Sequence, residues 1–233
     1  MNALMLGQVV IHHRTSTCES RNGFCPSWIV DHFSEYLSPL LRHLELTVVA
    51  VVVGFAVAFG LGLLAHRRRW LIAPITGITG VLFTIPSLAL FAVLITSPLG
   101  FGFVTGVIPL IIYTLQIIFR NVVAGLAGVP EEARDAARGM GMTARQLLWR
   151  VEVPLALPEI IAGVRIATVT TVALATLAFY AGAGGLGQQI ETDIAFKSNI
   201  VLAGGLAVLL AFALDLLLLG TERAITPWRR SGA

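Results

Sequence analysis

WLIAPITGITGVLFTIPSLALFAVLITSPLGFGFVTGVIPLIIYTLQIIF, Trp70 to Phe119, runs for fifty residues without one Asp, Glu, Lys or Arg. A bilayer-crossing helix takes about 20 apolar residues, so this block is too long for one helix and reads as two. Ser97-Pro98-Leu99-Gly100 supplies the turn, giving spans near 71–95 and 101–119, with Arg120 closing the second. Two further uncharged runs, twenty residues over 46–65 and twenty-five over 166–190, place spans at about 44–65 and 160–181. A last apolar run adds 200–220. Across all 233 residues, 56% are hydrophobic and 12% charged. A soluble domain carries roughly a quarter charged residues. The reading is an all-α polytopic membrane protein with five transmembrane helices, a segment 1–43 ahead of them, a transmembrane unit 44–220 containing a loop 120–159, and a tail 221–233.

Orientation follows from the basic residues flanking the spans. If Arg67-Arg68-Arg69 is cytoplasmic, that side also receives Arg120, Arg134, Arg138, Arg145, Arg150, Arg165, Arg223, Arg229 and Arg230, twelve in all. The other side receives four: Arg14, Arg21, Arg42 and Lys197. The bias puts the N-terminus outside and the C-terminus inside. Trp70, Trp149 and Trp228 then fall near the cytoplasmic interface, where an amphipathic ring is stable.

Composition excludes several activities. The only lysine, Lys197, follows Phe196, so a Gly-Lys-Ser/Thr phosphate loop is absent and any ATP must be bound by another chain. His12, His13, Cys18 and Cys25 lack zinc-type spacing, so no metal site is expected. The net charge of +3 comes from arginines at span ends and does not point to nucleic acid.

Ahead of the first span, Met1–Ile11 is too short to cross a bilayer and has neither a basic start nor a small-residue cleavage site, so it does not read as a signal peptide. Ile29, Phe33, Tyr36, Leu37, Leu40, Leu41 and Leu44 recur at helical spacing behind Pro26-Ser27. That stripe suits either the membrane surface or packing on neighbouring spans, with a turn into the first span near Pro39. Cys18 and Cys25 lie on the side where a disulfide persists, and spacing alone leaves open whether they bond. Gly54, Gly60 and Gly62 let the first span approach a neighbour closely. Pro86, in Thr84-Ile85-Pro86-Ser87, breaks or kinks the second, either structurally or to line a pathway.

The loop 120–159 needs internal structure or a partner. Pro130 can start a helix whose positive end favours Glu131 and Glu132. Gly139 and Gly141 interrupt it. Thr143 caps a second helix through about Val151, which Pro154 terminates. Two short helices joined at a glycine bend make a projection suited to a cleft on another protein.

At these residues the chain resembles the permease subunits of binding-protein-dependent ABC importers, whose loop carries Glu-Ala-Ala, three residues, Gly, nine residues, then Ile-x-Leu-Pro. Here Asp135-Ala136-Ala137, Gly141 and Val151-Glu152-Val153-Pro154 keep the register, with Asp for Glu and valines for Ile and Leu. The resemblance narrows to the osmoprotectant branch, which takes up glycine betaine, carnitine, choline or proline-like solutes. It does so on Thr84–Leu90, Ala136–Thr143, Pro154–Pro158 and Gly182–Gly187. Permeases for methionine or other small nutrients share the loop and remain an alternative; a non-transport membrane scaffold is the alternative of another class.

The resemblance implies a type I importer permease of the bacterial or archaeal inner membrane, with no catalytic site or cofactor of its own. ATP and Mg would be bound by two cytoplasmic ATPase subunits. Asp135, Ala136, Ala137, Arg138, Gly139, Gly141 and Pro154 would couple to them. A second copy or related permease, the lipid bilayer and a separate extracytoplasmic solute-binding protein complete the partners, since no binding domain follows the last span. Pro86, Ser87, Tyr113, Tyr180, Gly184 and Gly185 are the pathway or gate candidates. The glycines of 182–187 allow an irregular turn or a close dimer contact. Asp215, a carboxylate inside a span, is expected to pair with Arg165 or another basic residue or to face the pathway.

Overall fold

The computed structural model describes Cys18 and residues 21–226, where all regular structure is helical. The readings of Met1–Ile11, of His12 and His13, and of Trp228 lie outside the described residues. Pro26 opens α1 (Pro26–His32), at a position where its missing N–H costs nothing. A 3-10 turn leads into α2 (Leu37–Arg67), which includes Pro39 in its first turn. Then follow α3 (Ile72–Thr84), α4 (Ser87–Ile95), α5 (Phe103–Ala127), α6 (Glu131–Gly139) and α7 (Ala144–Leu147). A π turn, Leu148–Glu152, joins α7 to α8 (Val153–Ala175). After a 3-10 turn at Ala178–Ala181 come α9 (Leu186–Thr192) and α10 (Lys197–Ile225).

Among the described residues, four helical segments are long and apolar enough to cross a membrane: Pro26–Arg67, Phe103–Ala127, Ala144–Ala175 and Lys197–Ile225. α3 with its preceding turn, and α4, reach that standard only together, and they are bent by 86°. The break falls at Ile85-Pro86, where the proline has no N–H to donate.

Three helix ends differ from the sequence reading. Arg120 does not end its helix: α5 continues to Ala127 and stops at Gly128. Its side chain lies exposed on the helix surface, where a long basic chain keeps its charge in water without ending the helix. Nor does Pro154 terminate the helix capped by Thr143, because the chain stays helical from Ala144 to Ala175. A proline ring inside an α-helix clashes with the carbonyl four residues back. The wider π turn immediately before Pro154 changes that spacing, and Pro154 takes a first-turn position of α8. At its far end, the α-helix of the fourth span stops at Ala175 rather than running to Ala181.

α5 is the central helix. A Cβ added at Gly54 of α2 would stand 2.1 Å from Thr114 Oγ1, and one at Gly62 would stand 2.4 Å from Val122 Cγ1. Two of the three glycines noted in the first span therefore let α2 lie directly on α5, while Gly60 faces open space. Toward the α6–α7 end, Ala65, Phe119, Leu126, Leu148 and Val153 form one core cluster. Toward the opposite end, Leu46, Phe91, Leu110 and Ala178 form another.

The segment before α2 is tied to that opposite end. Cys18 and Cys25 are bonded as a disulfide. Ser198 Oγ accepts from the Cys25 amide at 2.6 Å and donates to the Gly23 carbonyl at 3.2 Å. The apolar stripe divides: Ile29, Tyr36 and Leu40, joined by Trp28 beside them, pack with Leu202 and Ala203 of α10, while Phe33, Leu37 and Leu41 stay exposed.

Candidate functional site

The loop between α5 and α8 folds by local rules. Pro130 precedes α6, and Glu131 and Glu132 occupy its first turn. Glu131 accepts from Arg134 Nη1 at 2.9 Å and from Arg138 Nη1 at 3.0 Å, and Asp135 accepts from Arg138 Nη1 at 2.8 Å. The bonds from Arg134 and then Arg138 hold the Glu131 carboxyl below its ordinary range. In return, Glu131 and then Asp135 raise Arg138.

α6 ends in a Schellman motif. The Met142 amide donates to the Ala137 carbonyl at 3.2 Å, and the Gly141 amide donates to that of Arg138 at 2.9 Å. This geometry needs a left-handed residue at the position of Gly141, whose φ is +76°. Gly139 has no such φ and no close neighbour. Two residues after Gly141, Thr143 and Gln146 form a reciprocal capping box that starts α7. The projection is therefore a helix, a glycine-specified bend and a second helix start.

Its faces differ. Asp135, Ala136, Arg138, Gly139, Met140 and Gly141 are exposed, Met140 to 70%, while Arg134 and Ala137 are buried. Pro154, half-buried at the start of α8, belongs to the support rather than to this face.

Sequence reasoning missed what holds the projection down. Arg134 donates from Nη2 to the Leu126 carbonyl at 2.7 Å and from Nε to Glu152 Oε1 at 2.9 Å. Glu152 Oε2 lies 3.0 Å from His66 Nε2 on the last turn of α2. Arg134 and Glu152 are 8% and 6% exposed. Two buried opposite charges, each with several hydrogen bonds, satisfy one another where a lone one would be costly. The available signal was Glu152 itself, an acid between Val151 and Val153 beside a proline.

The pathway candidates fall into two groups. Pro86 and Ser87 lie at the α3–α4 break, and Tyr113 of α5 donates its hydroxyl to the Ile85 carbonyl there. Tyr180, half-exposed and stacked on Phe179, adjoins the turn 182–187, in which Gly182, Gly184 and Gly185 take positive φ. Arg42 Nε donates to the Ala183 carbonyl at 3.0 Å. His43 Nδ1 accepts from the Leu186 amide at 3.3 Å, which leaves Nε2–H to donate to the Val172 carbonyl at 2.9 Å. Arg42 and His43 thus clamp the glycine turn onto α2 and α8 of the same chain. Asp215 pairs with Arg165, which also lies 3.5 Å from Glu222. Among the described residues, no three His, Cys, Asp or Glu side chains are grouped to hold a metal ion.

Comparison with known proteins places this architecture. The profile of the family described as binding-protein-dependent transport system inner membrane component matches residues 41–224. The carnitine transport permease protein OpuCB of Listeria monocytogenes is 38% identical over 205 residues, 85% of this chain and 94% of that protein. The osmoprotectant import permease protein OsmW of Salmonella typhimurium is 37% identical over 208 residues, 86% of this chain and 96% of its own. In structure, the chain is similar to the inward-facing MetNI methionine ABC transporter, with a TM-score of 0.69, 23% identity, and coverage of 82% of this chain and 94% of that one. An amino acid ABC transporter solved with histidines gives 0.71 at 19% identity, covering 85% and 97%. At those identities the structures show the fold alone.

Proposed function

The chain belongs to the family of binding-protein-dependent transport system inner membrane components, and from that premise we propose that it carries compatible solutes of the glycine betaine, carnitine and choline type across the bacterial inner membrane. It is the non-catalytic permease subunit, and ATP is hydrolysed elsewhere in the assembly. Identities of 34–38% over at least four fifths of the chain to permeases named for those solutes carry this reading.

In the proposed mechanism the exposed face of α6 and its following bend, from Asp135 to Gly141, seats in a cleft of a cytoplasmic ATPase subunit. Each of two ATPases engages one projection of a permease pair, either two copies or this chain with a related one. A separate solute-binding protein docks on the opposite side. Closure of the ATPases moves the projections, and the spans alternate access. The α3–α4 break with Pro86, Ser87 and Tyr113, and the turn bearing Tyr180, Gly184 and Gly185, line or gate the route.

The proposed topology has five spans, N-terminus outside and C-terminus inside. Its support is geometric. α2 ends beside the projection, where Arg69 and Ile72 share a cavity with Arg134. α5 begins at the other end, where the Gly102 amide donates to the Ala181 carbonyl at 2.7 Å. The bent pair α3–α4 must carry the chain between those ends, so it counts as one crossing.

The test is uptake into vesicles holding the permease with its ATPase and binding protein. ATP-dependent accumulation of labelled glycine betaine, carnitine or choline is expected. Selective methionine uptake would replace the substrate and keep the permease; no ATP-dependent uptake of any small nutrient would favour a scaffold.

A further inference from the structure

We propose that Arg134 and Glu152 are a positioning pair that passes movement of the projection into the membrane-crossing helix α8. This inference rests on the functional reading above, in which α6 is moved by an ATPase.

α6 is linked to its neighbours in sequence by Gly128-Val129-Pro130 on one side and the bend through Gly141 on the other. Both are short connections without a helix of their own. Arg134 gives α6 a second kind of connection. Its one guanidinium reaches Glu131 on its own helix, the Leu126 carbonyl in the last turn of α5, and Glu152 on the π turn. Through the other oxygen of Glu152 the same cluster reaches His66 on α2. Three membrane-crossing segments therefore meet one buried cluster: α5 at Arg134, α8 through Glu152, and α2 through the bond of His66 to Glu152.

The placement of Glu152 makes the contact directional. It is the last residue of the π turn, immediately before α8. Helical structure then continues to Ala175, beyond which the chain enters the glycine turn clamped by Arg42 and His43. A rigid helix is a plain route from the projection to that turn, and a π turn is a common site for functional deformation within a helix. A cavity of about 210 Å³, lined in part by Gly62, His66, Arg69, Val123 and Arg134, lies beside the pair. It offers room for the guanidinium to move without driving into α2 or α5. The exposed docking face does not include either residue, so the pair acts through α8 and not by touching the ATPase.

The experiment compares Arg134→Gln, Glu152→Gln, Arg134→Lys and the reversed double variant Arg134→Glu with Glu152→Arg. Each is reconstituted in vesicles with the ATPase and binding protein. Three quantities are read on one preparation: ATPase subunit recovered, ATP hydrolysed and labelled glycine betaine accumulated. For the two Gln variants the expected result is ATPase recovery within twofold of the unchanged protein and solute moved per ATP lowered at least tenfold. Arg134→Lys, which keeps the charge but loses the fork, should retain more coupling than Arg134→Gln. The reversed pair should recover part of the ratio. Solute per ATP unchanged in both Gln variants would overturn the proposal. So would a loss of uptake fully matched by loss of ATPase recovery, since that marks a structural role only. If the unchanged complex accumulates another solute instead, the substrate reading fails and the ratio is measured with that solute.

Discussion

Arg165 on α8 grips both carboxylate oxygens of Asp215 on α10, Nε to Oδ1 at 2.8 Å and Nη2 to Oδ2 at 2.9 Å. Each residue is about a quarter exposed, on a flank where Glu222 approaches the same guanidinium at 3.5 Å. A bidentate charged pair fixes the rotation of one helix against the other as well as their separation.

Removing the acid should therefore loosen α10. Asp215→Ala is expected to lower the stability of the solubilised protein by about 1.5–3 kcal/mol, the range for hydrogen bonds to charged groups. Exchanging the partners, Arg165→Asp with Asp215→Arg, should recover a large part of that loss. The measurement is thermal unfolding in detergent for the single variants and the exchange. An Asp215→Ala protein that melts with the unchanged one would remove the pair from the account of what holds α10.

The two glycines of the bend should behave unequally. Gly141 holds a φ of +76° as the left-handed residue of the Schellman motif, and a β-branched side chain there costs at least about 1 kcal/mol in backbone strain. Gly139 is helical with open space around it, so alanine is tolerated and even favours the helix. Gly141→Val should lose most ATPase recovery and uptake while inserting normally into the membrane, and Gly139→Ala should lose neither. Equal behaviour of the two variants would mean that the bend geometry is not what the partner reads.

Acid should fray α6 through Glu131. Its carboxyl is held below the ordinary value of 4.5, first by the Arg134 hydrogen bond and then by that of Arg138. Because the folded value is the lower one, the contribution is complete above the ordinary value and is lost as pH falls through the lowered one. The group is fully exposed, so the effect is local rather than global. Amide exchange in α6, corrected for its intrinsic pH dependence, should quicken below that window, and Glu131→Gln should flatten the response. An identical profile in the Gln variant would assign the fraying to other groups.

What could be read from the sequence was what depends on near neighbours. Charge-free runs located the long apolar helices, Pro86 marked the break, and Gly141 with Thr143 marked the bend, because each acts through the turn of chain that contains it. Asp215 announced a partner because an isolated carboxylate in a span is costly. Pro154 misled for a related reason: a proline rule ends a helix unless the backbone widens first, and the π turn at 148–152 was invisible in the residue pattern. Arg134, Glu152 and His66 were not legible as a group. They converge only once Gly54 and Gly62 have brought α2 onto α5, and Arg134 then sits 18 residues from one acid while His66 sits 86 from it. His43 was missed likewise, since its two partners lie 129 and 143 residues away.

The number of crossings turns on Leu99. If α3 and α4 form one bent span, the turn at 97–100 emerges at the end bearing α9 and the N-terminal disulfide loop. If they dip in and return, it lies with Arg68, and the projection falls on the opposite side. Leu99 is 49% exposed and Met140 is 70%, so single cysteines at both can be labelled without disturbing the core. Cys18 and Cys25 are joined to one another and stay silent while the disulfide is intact. In sealed right-side-out vesicles, a membrane-impermeant maleimide should label Leu99→Cys and Thr192→Cys. Met140→Cys and Arg68→Cys should react only after the vesicles are opened. Leu99→Cys protected together with Arg68→Cys, while Met140→Cys reacts, would make α3–α4 re-entrant and reduce the crossings to four. That outcome would also put the end of α2 and the projection on opposite sides, against the 3.0 Å contact between His66 and Glu152, so the labelling and the fold test each other.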